Sequence, residues 1–198
     1  MTAGHFGLAT GLKAGAPRLP LWALLVGTYL LDIIFIILLA AGGIESFAPI
    51  DPAHPGYGAV LIHAYYTHSL MGAILIAAIA GWFASRWWGQ RNGFVIAGVV
   101  FSHWLLDLLV HRPDLPILPG NLGNLPLLGF GLWQIPVVSA LIELALVIGG
   151  AYFYYRSAAQ LPAPPGATRQ SQRRRVLTVS AVTTGLLLLL LVTDILGL

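Results

Sequence analysis

The stretch GFVIAGVVFSHWLLDLLVHRPDLP, residues 93–116, decides how this chain has to be read. From Gly93 to His111 it is apolar enough, and at about 1.5 Å per residue long enough, to cross the hydrocarbon of a bilayer as one helix that stops at Arg112 and Pro113. Inside that run stand His103, Asp107 and His111. Their i, i+4, i+8 spacing puts them on one helical face with about 6 Å between successive side chains. An ionisable group in a membrane span costs roughly 2.5 kcal/mol or more unless it finds a partner, a metal or water, so three on one face mark a site.

The composition of the whole chain points the same way. Its 198 residues are 58% hydrophobic and 9% charged, with a mean hydropathy of +0.83, whereas soluble domains carry about 25% charged residues. The expected fold is all-α, a polytopic transmembrane bundle forming a single domain over residues 1–198. Spans are predicted at 19–41, 57–85, 93–111, 132–155 and 176–198. A linker at 156–175 holds Pro162, Pro164 and Pro165 and cannot be helical throughout. An irregular cap at 112–131 is broken by Pro113, Pro116, Pro119 and Pro126 and is where a substrate gate would sit.

Charge gives the orientation. Lys13, Arg18, Arg86, Arg91, Arg156, Arg169 and Arg173 to Arg175 fall in loops on one side, against Arg112 alone on the other. This positive-inside pattern, with Trp87 and Trp88 at the inner boundary, predicts a multi-pass protein of a bacterial inner (plasma) membrane, N-terminus cytoplasmic and C-terminus outside. The first 18 residues lack the basic and apolar regions of a signal peptide, so the first span is expected to be retained. The net charge of +3 is therefore topological, and nucleic acid is not an expected partner, because no aromatics interleave with the arginines. The linker arginines fix orientation first and contact anionic lipid second. The chain has no cysteine, which leaves His, Asp and Glu as the strong metal ligands available.

Depth tests whether the polar residues share a layer. Counted from the basic inner boundary at about 1.5 Å per residue, Asp32 lies about 21 Å up, His103 about 18 Å, Asp107 about 24 Å, His68 about 27 Å and Glu143 about 20 Å. If residues 3–16 form a short re-entrant helix turning at Pro17, His5 sits about 20 Å up as well, beside Asp32. His68, His103 and Asp107 suit a divalent ion, with zinc first, since Zn²⁺ takes imidazole nitrogen and carboxylate oxygen and two ligands one helical turn apart can share it. Interhelical hydrogen bonding is the alternative use of the same groups.

The remaining residues divide. A lone mid-span carboxylate such as Asp32 needs a cation, a metal or protonation. Glu143 can serve as ligand, general base or packing carboxyl, and His5 can equally be a plain terminal residue. His63 lies about 140° around a helix from His68, which gives it an interfacial or supporting place. His111 is expected near the outer surface in water, Asp194 near the outer interface, and Arg112 to pair with Asp114 at the helix exit. Asp51 and His54 are loop residues without a special claim. Ser69 and Ser102 each adjoin a histidine, but G-x-S-x-G is absent, so a serine hydrolase is not favoured.

GHFGLATGLKAGAPRLPLW at the start, LLDIIF, THSL, SHWLLDLLVHRPDLP and GFGLW together resemble a family of bacterial multipass proteins described as membrane-bound metal-dependent hydrolases, over roughly residues 4–155. The resemblance implies metal ligands at His5, Asp32, His68, His103 and Asp107. The family's first-span motif looks like a proline with paired aspartates, whereas Asp32 stands alone here, a departure that bears on a second metal. The expected activity is metal-assisted hydrolysis of a lipid-like ester or phosphoester in the outer half of the bilayer, with Asp32 or Glu143 as base. Expected partners are membrane lipids and that substrate, with a second copy or a larger membrane complex around the chain. An ion or proton pathway and an accessory structural subunit remain the alternatives.

Overall fold

Long apolar runs close their backbone hydrogen bonds within the segment by coiling, and the computed structural model of this chain, which describes residues 1–50, 56–161 and 166–196, is mostly helical. Seven α-helices occur among the described residues: α1 (Thr2–Leu12), α2 (Leu21–Thr28), α3 (Leu30–Ala40), α4 (Leu70–Trp88), α5 (Gln90–Val110), α6 (Pro136–Gln160) and α7 (Arg169–Leu196). Strands β1 (Ser46–Pro49) and β2 (Val60–His63) pair antiparallel, with Ser46 opposite His63 and Pro49 opposite Val60. Helices α4 to α7 are each long and apolar enough to cross a membrane, and α2 with α3 makes a fifth if the bent pair is one span. The outer faces of these helices are apolar: Leu75, Phe94, Val137, Leu186 and Leu189 are all exposed. Asp51, His54, Pro162, Pro164, Pro165 and the last two residues of the fifth predicted span lie outside the described residues.

Several predicted boundaries move. The first span is broken between Thr28 and Leu30, where α2 and α3 meet at 54°. The second does not begin at residue 57: Val60–His63 is strand and the helix starts only at Leu70. The β-branched and aromatic residues in GYGAVLIHAYYTH favour extended chain and its glycines disfavour helix, preferences that overall hydropathy does not register. The N-terminal helix expected over residues 3–16 is shorter, running from Thr2 to Leu12 ahead of the turn at Pro17, and helix reaches into both ends of the 156–175 linker, to Gln160 and from Arg169.

The N-terminus of α4 is closed by a neighbour. Ser69 Oγ accepts from Gly72 N, while Leu70 N and Met71 N donate to the carbonyls of Pro116 and Ile117 in the cap segment. These three bonds satisfy N–H groups that a helix start always leaves free. Buried indole Trp104 of α5 donates to His68 O at 2.8 Å, so the turn ahead of α4 is fixed from two sides.

Helix α1 lies along α6, running in the same direction, because both present glycine. A Cβ on Gly7 would come within 2.7 Å of the Leu146 carbonyl carbon, and one on Gly150 would overlap the Gly7 carbonyl oxygen. Small residues allow the close backbone approach by which such apolar helices pack. Gly150→Ala is therefore expected to lower stability by about 1–3 kcal/mol as overpacking. Gly149→Ala, whose Cβ meets nothing within 4 Å, should leave the thermal midpoint in detergent unchanged.

Candidate metal centre

Two histidines are held with one nitrogen committed and the other bare. His103 Nδ1 lies 2.7 Å from the carbonyl oxygen of Thr28, at the break between α2 and α3. A carbonyl only accepts, so in the neutral imidazole Nδ1 carries the proton and Nε2 keeps a free lone pair. His68 is fixed through an intermediary. The Thr67 hydroxyl donates its one proton to Glu45 Oε2 at 2.8 Å and can then only accept from His68 Nδ1, also at 2.8 Å. His68 Nε2 is likewise bare. Glu45 is 1% exposed and takes two further bonds, from Tyr66 N and Thr67 N.

The bare nitrogens face each other. His68 Nε2 and His103 Nε2 are 3.3 Å apart. Asp32 Oδ1 stands 3.3 and 3.5 Å from them, and Asp107 Oδ2 stands 3.5 and 3.0 Å from them, in the same order. Ligands held at about 2.1 Å from one four-coordinate ion are about 3.4 Å apart. Acceptors packed at that spacing without hydrogens between them repel, and burial deepens the penalty. A cation removes it, and two carboxylates match the charge of a divalent one. The donor set, imidazole nitrogen and carboxylate oxygen, suits such an ion. Two triads can hold a metal, Asp32 with His68 and His103, and His5 with His103 and Asp107. Both use His103, whose single free lone pair serves a single ion.

His5 arrives on α1. Its ring stacks on His103 with centroids 3.9 Å apart and planes 7° from parallel, and its Nε2 is 3.1 Å from Asp107 Oδ1. Its Nδ1 is buried without a hydrogen-bond partner among the described residues. The helix that carries His5 is held at its start by carboxylates from two other helices: Glu143 Oε2 of α6 accepts from Gly4 N at 3.0 Å and Asp194 Oδ2 of α7 accepts from Thr2 N at 2.9 Å. Acidic oxygens suit a helix N-terminus, where free N–H groups and the positive end of the helix dipole meet. Thr28 Oγ1 adds a bond of 3.3 Å to the His5 carbonyl.

A cavity of about 170 Å³ opens onto this cluster, walled also by Thr2, Phe35, Ile62, His111 and Trp133. A second, of about 160 Å³, lies beyond Ile62 and Trp133 and reaches Tyr57 and Asp194. His111 is not at a wet surface. It is 3% exposed, its Nδ1 is 2.9 Å from Asp114 Oδ1, and its Nε2 is 3.9 Å from Asp107 Oδ2. Cap segment and α5 fold back on each other here, with Gly131 N donating to His111 O. Arg112 does not pair with Asp114 but donates to the Gly58 carbonyl.

Of the residues singled out in the sequence, the structure gathers His5, Asp32, His68, His103 and Asp107. Glu143 stands outside that group, its second oxygen accepting from Tyr57 OH at 2.6 Å. Burial and the Glu143 carboxylate push the Tyr57 phenol above its usual range, which keeps it a donor. Asp194 holds α1, and His63 on β2 contacts Tyr65 OH at 3.3 Å. Glu45, Thr67 and Thr28 carried no recognisable signal, since a loop carboxylate after paired glycines and hydroxyls beside apolar runs acquire meaning only from what folds against them. No family model matches the chain, nor does any curated protein or solved structure.

Glu143→Gln can keep its oxygen on Gly4 N and turn its N–H₂ to the Tyr57 hydroxyl, which then accepts, so two charge-assisted hydrogen bonds become neutral ones. Thermal unfolding in detergent is expected to show a loss of about 1–3 kcal/mol, while elemental analysis finds the metal content of the parent, because the Asp32, His68 and His103 triad does not use Glu143.

Proposed function

We propose that the chain is a multi-pass membrane protein and a metal-dependent hydrolase acting on a lipid-like ester or phosphoester. The observation that carries this reading is the set of acceptors beside a cavity in which His68 Nε2 and His103 Nε2 lie 3.3 Å apart and each stands 3.0 to 3.5 Å from Asp32 Oδ1 and from Asp107 Oδ2. Helices with apolar outer faces around a polar interior support membrane insertion, since soluble monomers seldom expose apolar surface on that scale. The basic helix ends that carry Arg86, Arg91, Arg156, Arg169 and Arg173 to Arg175 then face the cytoplasm of a bacterial inner membrane, and the centre lies in the outer half.

His68, His103, Asp32 and Asp107 would hold the cation, zinc being the best fit to two imidazoles and two carboxylates, and His5 joins them or braces Asp107. When bound, such an ion acts as a Lewis acid toward an ester or phosphoryl oxygen and acidifies water. Asp32 is the least buried of the four, with its side chain 26% exposed, and its second oxygen, Oδ2, accepts the proton of the attacking water. His111 lines the same wall; Asp114 takes the proton of its Nδ1, which leaves Nε2 to accept a hydrogen bond from a substrate hydroxyl or a water. Phe35, Ile62 and Trp133 keep bulk water out and accept the apolar part of the substrate. Glu143 contributes by fixing α1, and hence His5.

His68→Ala and His103→Ala are each expected to lose bound metal while keeping the parent's helical circular dichroism and elution volume, and to lose hydrolysis of detergent-dispersed ester and phosphoester lipids by at least about 100-fold. Chelator-stripped parent protein should lose the same activity and regain it with Zn²⁺. Metal retained in both variants would leave a hydrogen-bonded helix bundle instead.

A further inference from the structure

Resting on the metal-site reading above, we propose that Glu45 is a positioning residue for that site: through the Thr67 hydroxyl it dictates which nitrogen of His68 is protonated, and so whether His68 can bind a metal at all. Glu45 is fixed in polarity from all sides. Tyr66 N at 2.7 Å, Thr67 N at 2.8 Å and the Thr67 hydroxyl at 2.8 Å each donate to it. The hydroxyl has one proton, and the carboxylate takes it. Thr67 Oγ1 therefore turns a lone pair toward His68, the imidazole proton sits on Nδ1, and Nε2 is left bare toward His103, Asp32 and Asp107. Glu45 lies beyond hydrogen-bond reach of the ligand atoms and acts only through this hydroxyl.

The connector that brings Glu45 in is built for the purpose. Gly42 and Gly43 have φ of +123° and +72°, the left-handed region that favours glycine, and turn the chain back directly after α3. β1 then begins at Ser46 and pairs with β2, whose His63 leads into Tyr65 and His68. The hairpin thus brings the residue before its first strand against the turn after its second.

Replacing the carboxylate by its amide reverses the relay instead of merely weakening it. In Glu45→Gln, the side-chain oxygen can still accept from Tyr66 N and Thr67 N, which leaves the N–H₂ group facing Thr67 Oγ1. The hydroxyl then accepts from Gln and donates to His68 Nδ1, driving the imidazole proton onto Nε2, where it blocks ligation. Thr67→Ser keeps the relay. Thr67→Val removes it without reversing it. Partners that orient a ligating histidine are worth about 10- to 100-fold in metal affinity.

The experiment measures Zn²⁺ affinity by chelator competition on the purified full chain for the parent, Glu45→Gln, Thr67→Val and Thr67→Ser, with thermal unfolding of each metal-free protein alongside. Nitrogen-15 NMR of histidine-labelled, metal-free protein reads the tautomer of His68. Expected are parent-like affinity for Thr67→Ser, a loss of about 10- to 100-fold for Thr67→Val, and a loss at least as large for Glu45→Gln with the His68 signal moved from Nδ1–H to Nε2–H. A purely structural role for Glu45 would lower the unfolding midpoint and leave the tautomer alone, which overturns the proposal. So does equal affinity in parent and Thr67→Val, the decisive pair should Glu45→Gln fail to fold. A parent that binds no zinc overturns both this proposal and the metal-site reading. A zinc-binding parent with an indifferent Thr67→Val overturns this one alone.

Discussion

Lone pairs that point at one another inside a protein are a cost that something must offset. Here, with the one N–H proton of each neutral imidazole held on its far side, Nε2 of His68 and Nε2 of His103 lie 3.3 Å apart, and each is 3.0 to 3.5 Å from one oxygen of Asp32 and one of Asp107. Much of the surrounding structure follows from keeping those commitments in place. Thr28 O holds one ring, Thr67 and Glu45 hold the other, and Trp104 pins the backbone of His68 from α5. Apart from Thr67, which precedes His68 in the chain, these partners come from remote segments, so the cluster is assembled by the tertiary fold.

Helix α1 shows how such an assembly is made with few apolar contacts to spare. Its packing on α6 depends on missing side chains at Gly7 and Gly150, and its first N–H groups are received by Glu143 and Asp194. Glu143 looked like a candidate for chemistry in the sequence because a carboxylate is costly in hydrocarbon, whereas the sequence puts Asp194 near the outer interface. Their cost is met by a helix start instead. The protein thus uses the same kind of group in two ways: acids that meet imidazoles form the centre, and acids that meet backbone N–H groups position the helix that feeds it.

What could be seen beforehand follows from the period of the helix and the price of charge in lipid. His103, Asp107 and His68 announce themselves because each interrupts an apolar run, and a rise per residue is enough to level them with Asp32 and with His5. Loops obey no such period. Glu45 and the pair of His111 with Asp114 are set by a hairpin and a folded-back cap, and hydropathy alone read residues 57–69 as helix when glycines, β-branched and aromatic side chains favour strand and turn. The 54° break at Thr28 also escaped notice, since LLVGTYLLD contains no proline and only one glycine.

That break frees the carbonyl which His103 uses, while the ladder of α3 begins one residue later, with Ile33 N on Tyr29 O. Local helix propensity and the needs of the centre are therefore opposed at this point of the chain. Substitutions that straighten the rod would look favourable to any selection for robustness alone, yet would reclaim the carbonyl and let the imidazole rotate. Durability and competence part company at Thr28, and a hardened variant of this protein is the one in which to look for an empty centre.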